Sequence, residues 1–575
     1  MMQIKFCHAD ADFKLIAGAA VIPDERFVKG AGKPLRLFAL KNDTAAFGFI
    51  IQADRDCVLN VGDEPYFAQF DQKPQVRIDV RSDLPHSLNI VDFALTEKGL
   101  RCADALLPRP TLEIAAGETR QVYIEFAPPK DCKAGCRDFK VKIYTHEMFG
   151  DEKLSGELEG KIEIADYILH DPKDNKFHLD LWQHPSNLAR NAEAPLWSDR
   201  HFAVIERYLE SLGELGQKAV TIIASDTPWA GQSCGLARNT KANMFEYSII
   251  PVKKTADGAL VCDYSHMQRY IDIAAKYHID REISIYGLCG IWNNPDTGFG
   301  KPAEDYPDSV RIRYFDEADG CYKYLKKASD IEIYISSLRD YFVKTGQIDK
   351  VRIAADEPAD IALYRSILAG IEKVAPEFKF KAAINHSEFI GEFGKEVYDF
   401  VPSLQSMTAE FKALKKYQRT MPGKRFLYYI CCGPDFPNTF ITSPLHESYY
   451  LGVLASACGF DGLLRWAYNI WPDEPRRDCR YEFWRTGDTH FVYPAYDGSP
   501  MLTLRWKALK RGITLYELLE KLKEKNPADA EKAMAMVMRI TDIEQIGREK
   551  SPQAIMSFDI SDYIEMEKFI VSRLG

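Results

Sequence analysis

The chain has 575 residues, of which 46% are hydrophobic and 27% charged, and its formal net charge is −10. These fractions are ordinary for a globular protein with a large core, while a mildly acidic chain without a basic block argues against nucleic acid as its partner. The sequence has no run of 18 apolar residues, so we expect no transmembrane helix and no membrane insertion.

The chain starts with MMQIKFCHADADFKL, which has acidic residues early and lacks the apolar run of a signal peptide. Its 13 cysteines are scattered without the even spacing of a disulfide framework. Both features predict a reducing, cytoplasmic location, with non-classical export left open. Cys132 and Cys136 supply at most half of a zinc site, because no second CxxC or HxxxH completes it. We therefore expect neither a metal nor a cofactor.

The first 169 residues are predicted to form a β-sandwich. Short segments that alternate apolar and polar residues, separated by Pro, Gly and Asp clusters, are typical of the strands of such a domain. The polar segment 170–176 breaks this pattern and is interpreted as a linker. The predicted strands include 36–42, 47–53, 75–82, 122–128, 138–146 and 160–169.

From residue 177 onward, predicted strands alternate with predicted helices. Apolar strands of this kind indicate a parallel sheet covered on both faces, and eight strand–helix units favour a (β/α)8 TIM barrel over an open sheet. We expect this catalytic domain at 177–523 and a helical C-terminal extension at 524–575. The eight predicted strands are 177–185, 218–228, 281–292, 351–358, 380–387, 400–406, 424–434 and 461–471.

Aromatic rings, carboxylates and amides follow these strands, at the end of a TIM barrel where active sites lie. A sugar requires such groups because its C–H face stacks on rings while its hydroxyls need polar partners. For any single ring, the alternative is that it only packs at the top of the barrel and does not bind a sugar. Trp466 and Tyr468, two residues apart, are expected to project to the same side of the sheet. The candidates for substrate binding are His184, Trp229, Asn293, Asn385, His386, Trp466, Tyr468, Trp471 and Asp488.

The adjacent carboxylates Asp356 and Glu357 are the candidate catalytic pair. They end the fourth predicted strand and precede Pro358, which we expect to lie in the first helical turn and to hold Glu357 extended. Two neighbouring carboxyl groups do not both ionise cheaply, so one pKa should rise and separate a proton donor from an ionised partner. Acidic residues that merely decorate a helix N-terminus are the competing interpretation.

An ordinary retaining glycosidase uses two carboxylates that straddle the scissile bond, which neighbours on one strand do not easily do. Two carboxylates on neighbouring residues do suit a reaction in which the 2-acetamido oxygen of the sugar attacks the anomeric carbon. One carboxylate then orients the acetamido N–H and balances the oxazolinium charge, while the other protonates the leaving oxygen. Spacing alone does not decide between these schemes.

Four strings resemble glycoside hydrolase family 123, the β-N-acetylgalactosaminidases. They are FHLDLWQHP (177–185), VRIAADEP (351–358), LRWAYNIWP (464–472) and GDTHFVYPAYDGSPMLTLRWKALKRGI (487–513). The resemblance covers about 177–513 and implies a retaining, substrate-assisted exo-hydrolase. Its implied partner is an oligosaccharide or glycolipid headgroup, such as that of a glycosphingolipid, with terminal β-linked N-acetylgalactosamine. The family's acid/base role falls on Glu357 and its oxazolinium-stabilising role on Asp356.

Three alternatives stay open. A β-N-acetylhexosaminidase that prefers N-acetylglucosamine would carry the same residues, and a carbohydrate-binding protein could keep the aromatic ring without catalysis. A metalloenzyme would use His184 with Asp180 or His178. However, His178 and His184 are six residues apart on one strand, about 20 Å when extended, which is too far to share an ion.

Overall fold

The computed structural model describes residues 2–18, 35–64, 73–147, 150–228, 244–481 and 483–575. Within these ranges the chain is a multidomain mixed β and α/β protein, as predicted, with a β-rich N-terminal region and a nearly closed barrel of eight parallel strands. Along the same ranges, none of the helices is both long and apolar enough to cross a membrane.

The β-rich N-terminal region consists of two sheets in its described part. Its strands are β1 (Ile4–Ala9), β2 (Leu35–Lys41), β3 (Ala45–Ala53), β4 (Cys57–Asn60), β5 (Gln75–Arg81), β6 (His86–Leu95), β7 (Arg101–Leu106), β8 (Thr111–Ile114), β9 (Thr119–Phe126), β10 (Gly135–His146) and β11 (Lys153–Ile168). The sheet orders are β1-β3-β9-β6-β7 and β2-β11-β10-β5-β4-β8. Phe47 and Phe126 of the first sheet contact Phe139 of the second, with ring centroids 5.7 and 4.7 Å apart. The two sheets therefore share one core.

The remaining strands include those of the barrel. They are β12 (His178–Leu181), β13 (Ala219–Ile223), β14 (Thr227–Pro228), β15 (Phe245–Glu246), β16 (Val252–Lys254), β17 (Leu260–Cys262), β18 (Glu282–Tyr286), β19 (Arg313–Asp316), β20 (Cys321–Tyr324), β21 (Val351–Asp356), β22 (Lys379–Ile384), β23 (Val397–Pro402), β24 (Arg425–Tyr429), β25 (Gly462–Arg465), β26 (Tyr493–Pro494) and β27 (Pro500–Met501). The barrel order is β12-β25-β24-β23-β22-β21-β18-β13. Its two edges meet through a parallel bridge between Leu179 and Gln217. Each of the eight predicted strands overlaps one barrel strand.

Helices follow the barrel strands and cover the sheet. They are α1 (Pro185–Asn191), α2 (Asp199–Leu215), α3 (Ser265–Lys276), α4 (Ala328–Lys344), α5 (Ile361–Val374), α6 (Glu388–Glu392), α7 (Leu404–Ala409), α8 (Phe411–Thr420), α9 (Leu445–Cys458), α10 (Leu504–Lys525), α11 (Pro527–Val537) and α12 (Ile560–Leu574). Helix α9 is buried on nearly every side, and it crosses α10 where both carry glycine. A Cβ at Gly452 would lie 1.8 Å from the Gly512 carbonyl oxygen, so only glycine permits this close approach.

Side chains fill the barrel interior in layers because alternate residues of each strand point inward. The lowest layer is ionic: Lys381 pairs with Asp180 and, at 2.6 Å, with Glu282. Above it lies an apolar layer that includes Ala354, Ala383, Leu427 and Leu464. The next inward positions form the top layer, at the carboxyl ends of the strands.

Candidate active site

The top layer of the barrel brings six side chains together. Tyr286, Asp356 and Tyr429 are the last residues of their strands, where the period of two still directs side chains into the barrel. The other three are the first residues after their strands. Small Ala354 and Ala383 leave room beneath it. The six residues are Trp182, Tyr286, Asp356, Asn385, Tyr429 and Trp466. Three of them, Asp356, Asn385 and Trp466, are predicted site residues.

Asp356 is the last residue of β21. Burial, and secondly the neighbouring charge of Glu357, raises the pKa of the Asp356 carboxyl to about 7. The buried Tyr286 ring lies close enough for the Asp356 charge to act on its hydroxyl. The rise in one pKa that the sequence predicts for this pair therefore falls on Asp356.

Glu357 has a left-handed backbone conformation, with φ of 46°. This conformation is uncommon for a residue with a Cβ and is typical of strained functional positions. Its N–H donates to the Ala383 carbonyl at 3.0 Å, which anchors the turn to β22. The predicted extended geometry of Glu357 is wrong, because the chain turns at once out of the sheet. Pro358 also precedes α5 rather than lying in its first turn, since the helix begins at Ile361 after the cap residue Asp360.

The Tyr429 hydroxyl lies between the carboxyl group of Glu357 and the side-chain amide of Asn385. It donates to Oε1 of Glu357 and also contacts Oδ1 of Asn385. Because a phenol has one proton, the second short contact requires a hydrogen from its partner, either a protonated Glu357 or the Asn385 amide turned over. Sequence reasoning missed Tyr429, although its position two residues beyond the inward Leu427 was the available signal.

Asp488 and Trp466 form a second polar group at the barrel mouth. The indole N–H of Trp466 donates to Oδ1 of the fully buried Asp488 at 3.1 Å, and Arg465 pairs with the same oxygen at 3.2 Å. Burial raises the pKa of Asp488. Its second oxygen, Oδ2, is buried and has no hydrogen-bond partner among the described residues. Trp484 extends the aromatic wall, 5.8 Å from Trp466.

His184 lies behind this wall. Its Nε2 contacts the Trp466 carbonyl at 2.9 Å, and its backbone N–H and carbonyl bond the Asn469 side chain. Burial lowers the pKa of His184 to about 3, so the ring is neutral. His386 and Asn293 lie on exposed loops after β22 and β18. Trp229 is outside the described residues.

Tyr468 and Trp471 belong to the core between the barrel and α2. The Tyr468 hydroxyl contacts Ser211 at 2.8 Å, and the Trp471 indole donates to the Val492 carbonyl at 2.7 Å. Trp466 instead packs in the barrel interior. The expectation that Trp466 and Tyr468 share one side is wrong, because β25 ends at Arg465 and the period of two does not continue beyond it.

The proposed metal alternative finds no support in the arrangement of the described residues. His178 is buried in the ionic layer, 3.0 Å from Glu282, and Asp180 pairs there with Lys381. Across the described ranges, no group of three His, Cys, Asp or Glu side chains is arranged to hold an ion.

One solved structure has a fold similar to that of this chain along almost its whole length. A solved family 123 glycoside hydrolase from Clostridium perfringens, studied for glycolipid glycan hydrolysis, aligns over 99% of this chain and 98% of its own, with 17% identity and a TM-score of 0.75. At that identity the match supports the fold alone. A putative glycoside hydrolase from Bacteroides vulgatus aligns over 78% of both chains at 11% identity, with a TM-score of 0.31 that carries no argument.

No curated protein matches the chain significantly. The model of the family described as "Glycoside hydrolase 123, catalytic domain" matches residues 182–522, which is more than half of the chain and includes the whole barrel mouth. The protein therefore belongs to glycoside hydrolase family 123 and is a glycoside hydrolase.

Proposed function

We propose that this enzyme is a retaining, exo-acting β-N-acetylgalactosaminidase that uses the acetamide of its substrate as the nucleophile. The observation that carries the proposal is the adjacency of Asp356 and Glu357 at one strand end. The raised pKa of Asp356 does not itself support this assignment of roles: it means that the ionised form which the scheme needs appears only near neutral pH. Two carboxyls on consecutive residues suit one proton donor and one orienting partner better than two groups on opposite sides of a bond.

Among the described residues, three further carboxyl groups near the barrel mouth are held by hydrogen bonds or ion pairs, which favours the sugar itself as the nucleophile. Asp488 pairs with Arg465 and Trp466. Asp308 accepts hydrogen bonds from three backbone N–H groups, those of Gly290, Ile291 and Ser309. Asp226 accepts from the Tyr324 hydroxyl at 2.9 Å and lies 3.5 Å from Arg313.

In the first step, protonated Glu357 gives its proton to the glycosidic oxygen while the acetamido oxygen attacks the anomeric carbon. The C–O bond to the aglycone breaks, and a cyclic oxazolinium forms. Asp356, ionised, accepts the acetamido N–H and balances the positive charge that develops on the ring. A half-buried carboxylate does this more strongly than an exposed one, because less water competes for the charge.

In the second step, Glu357 removes a proton from water, which opens the oxazolinium from the face that the aglycone left. Two inversions give net retention. The Tyr429 hydroxyl donates to the Glu357 carboxylate between the two steps, and it fixes the side chain on the strained turn. Such a hydrogen bond to a charged oxygen contributes about 1.5–3 kcal/mol.

The proposed substrate is the glycan of a glycolipid, or another oligosaccharide with terminal β-linked N-acetylgalactosamine. Glycolipid glycans are the substrate named for the Clostridium perfringens enzyme. Trp466 offers a ring for the sugar's C–H face, and the fully buried Asp488 holds that ring by accepting a hydrogen bond from its indole N–H. We further propose that the barrel is a (β/α)8 TIM barrel and that the N-terminal sheets form a β-sandwich.

The test is an initial-rate panel with the nitrophenyl β-glycosides of N-acetylgalactosamine, N-acetylglucosamine and galactose. We expect the first to be cleaved fastest and the galactoside hardly at all. On these activated aryl substrates Asp356→Asn should abolish most of the activity, and Glu357→Gln should lose less, because nitrophenolate hardly needs a proton donor. Asp360→Asn, which changes an exposed residue close by in the chain, should keep the activity. Faster cleavage of the N-acetylglucosaminide would reassign the sugar, and equal cleavage of the galactoside would refute acetamide participation.

A further inference from the structure

The β-rich N-terminal region reaches the active site through a buried chain of charged hydrogen bonds. Asp104, on β7, is fully buried and accepts from Nε and Nη2 of Arg505 at 2.9 Å each. The Tyr493 hydroxyl also donates to Asp104, again at 2.9 Å. Arg505 is the second residue of α10 and is equally buried. A buried carboxylate from one domain thus neutralises a buried guanidinium of the other.

Arg505 in turn holds the segment 487–490 that carries Asp488. Its Nη1 donates to the carbonyls of Gly487 at 3.2 Å and His490 at 2.9 Å. Arg465 donates to the same Gly487 carbonyl at 3.0 Å and to both the backbone and the side chain of Asp488. The guanidinium groups of Arg465 and Arg505 therefore both hold the loop 487–490 by hydrogen bonds.

The loop 487–490 is tightly packed at Gly487. Gly487 has φ of 89°, and a Cβ there would lie 2.8 Å from the Ile441 N and 3.0 Å from Nη1 of Arg505. The ring of Phe491 lies 5.3 Å from both Arg465 and Arg505. Burial alone would raise the pKa of Asp104, but Arg505 holds it below its usual value.

We propose that Asp104 is a positioning residue of the active site, which acts through Arg505 to set the loop 487–490 and with it Asp488 and Trp466. This inference rests on the proposed function in taking Trp466, which Asp488 holds in place, as a sugar contact. Without the Asp104 charge, the two buried guanidinium groups would have only one carboxylate, that of Asp488, to neutralise them. An uncompensated buried charge destabilises a protein far more than an unpaired charge at the surface does. The loop would shift, and the Asp488 oxygen would leave its place.

The experiment compares Asp104→Asn with Glu125→Gln. Glu125 accepts from Lys507 at 2.6 Å, so it joins the same N-terminal region to the same helix without touching the loop. We expect Asp104→Asn to raise KM for the nitrophenyl N-acetylgalactosaminide about tenfold, since small displacements of positioning groups have effects of this size. Glu125→Gln should leave KM unchanged. Tyr493→Phe, which removes one hydrogen bond and no charge, should raise KM less, and it keeps the test open if Asp104→Asn does not fold.

A double-mutant cycle with Asp488→Asn separates positioning from general stability. If Asp104 acts through Asp488, the double variant should have the KM of Asp488→Asn alone, whereas independent effects would multiply. Multiplying effects, or a KM within twofold of wild type for both Asp104→Asn and Tyr493→Phe, would overturn the inference. If the wild type does not cleave the N-acetylgalactosaminide, the proposed function fails, and the variants are compared on the nitrophenyl glycoside that it does cleave.

A second, independent observation concerns the thiols at the end of β24. Cys431 and Cys432 follow Tyr429 by two and three residues, and their Sγ atoms are 3.7 Å apart. Cys431 packs against the barrel-interior cluster, while Cys432 is exposed. The exposed Cys432 therefore lies just beyond the carboxyl end of a barrel strand, at the end of the barrel that holds the candidate site.

The geometry points to a binding site for thiophilic trivalent arsenicals at the mouth of the barrel. The sulfur atoms are too far apart for a disulfide of about 2.05 Å but can both bond one inserted atom. With phenylarsine oxide, two As–S bonds form, the As–O double bond breaks, and the oxygen leaves as water with both thiol protons. The phenyl group would then lie just beyond the end of β24, at the mouth of the barrel.

Phenylarsine oxide should abolish activity, and a dithiol such as dimercaptopropanol should restore it. Intact-mass spectrometry should show one adduct on the wild type that Cys432→Ser lacks, a readout that does not depend on the proposed substrate. Cys432→Ser should keep basal activity and resist inhibition, while Cys136→Ser, which removes an exposed cysteine elsewhere, should remain sensitive. Equal inhibition and labelling of Cys432→Ser and the wild type would overturn the assignment.

Discussion

Asp356→Asn should make the enzyme inactive but more stable at neutral pH. The folded protein holds the Asp356 proton up to a pKa of about 7, against the usual 3.8. Since the folded state binds this proton more tightly than the unfolded chain does, its stability falls as pH rises from about 3.8 to about 7. Asparagine, which stays neutral, removes this loss.

The size of the effect follows from the shift. At about 1.36 kcal/mol per pKa unit, the cost of ionising Asp356 grows from about 1.5 kcal/mol at pH 5 to at most about 4 kcal/mol at pH 8. Asp356→Asn should therefore raise the free energy of unfolding by an amount that grows over this range and vanishes below about pH 3.

Chemical denaturation at several pH values measures this gain. Asp360→Asn is the matched control, because Asp360 is exposed and asparagine caps a helix as well as aspartate does. A gain of the same size at every pH, or no gain at pH 8, would show that Asp356 is not held in a raised-pKa state.

Further predictions concern the same site and its support. Because ionised Asp356 is the form that assists, kcat/KM should fall as pH drops below about 7, and a flat profile through that region would contradict the assignment. Glu357→Gln should lose most activity on poor leaving groups and much less on activated aryl groups, whereas Asp356→Asn should harm both; equal leaving-group dependence would undo these roles. Tyr429→Phe should lower kcat about 10–100-fold with little change in Tm, as expected for a lost hydrogen bond to a charged group, and an unchanged kcat would remove Tyr429 from the site. Trp471→Ala should cost about 3–5 kcal/mol of stability because the ring is core, and a raised KM with an unchanged Tm would return it to the sugar site. Gly452→Ala should lower Tm by forcing α9 away from α10, and no change would show that the helices separate freely.

The barrel strands, and the position of the candidate pair Asp356 and Glu357 at the end of one of them, were predictable because they depend on local pattern. Apolar runs at a regular strand–helix rhythm identify each strand, and Asp356 closes one of them. The position of Trp466 and Asn385 at the barrel mouth was predictable for the same reason, while their role stays a prediction. Tyr429 obeys the same period of two but was overlooked, since a tyrosine in the run FLYYI is indistinguishable from core without knowledge of which face points inward.

Other features depend on long-range packing that sequence does not reveal. Trp471 and Tyr468 lie beyond the end of β25, where the alternation stops and tertiary contacts decide the side on which each ring lies. The left-handed turn at Glu357 runs against the preference of a residue that precedes proline, and the contact of its N–H with Ala383 in another strand maintains it. The pairing of Asp104 with Arg505 joins residues about 400 positions apart, with no local signal in either segment.

The most direct test of acetamide participation is a substrate series in which the N-acetyl group of nitrophenyl β-N-acetylgalactosaminide carries no, one, two or three fluorine atoms. Fluorine withdraws electrons from the acetamido oxygen and weakens it as a nucleophile, while the leaving group and the sugar ring stay the same. We predict that kcat/KM falls steeply and log-linearly along the series. Similar values of kcat/KM for all four substrates would show that the acetamide does not attack the anomeric carbon, and that a protein side chain or water is the nucleophile.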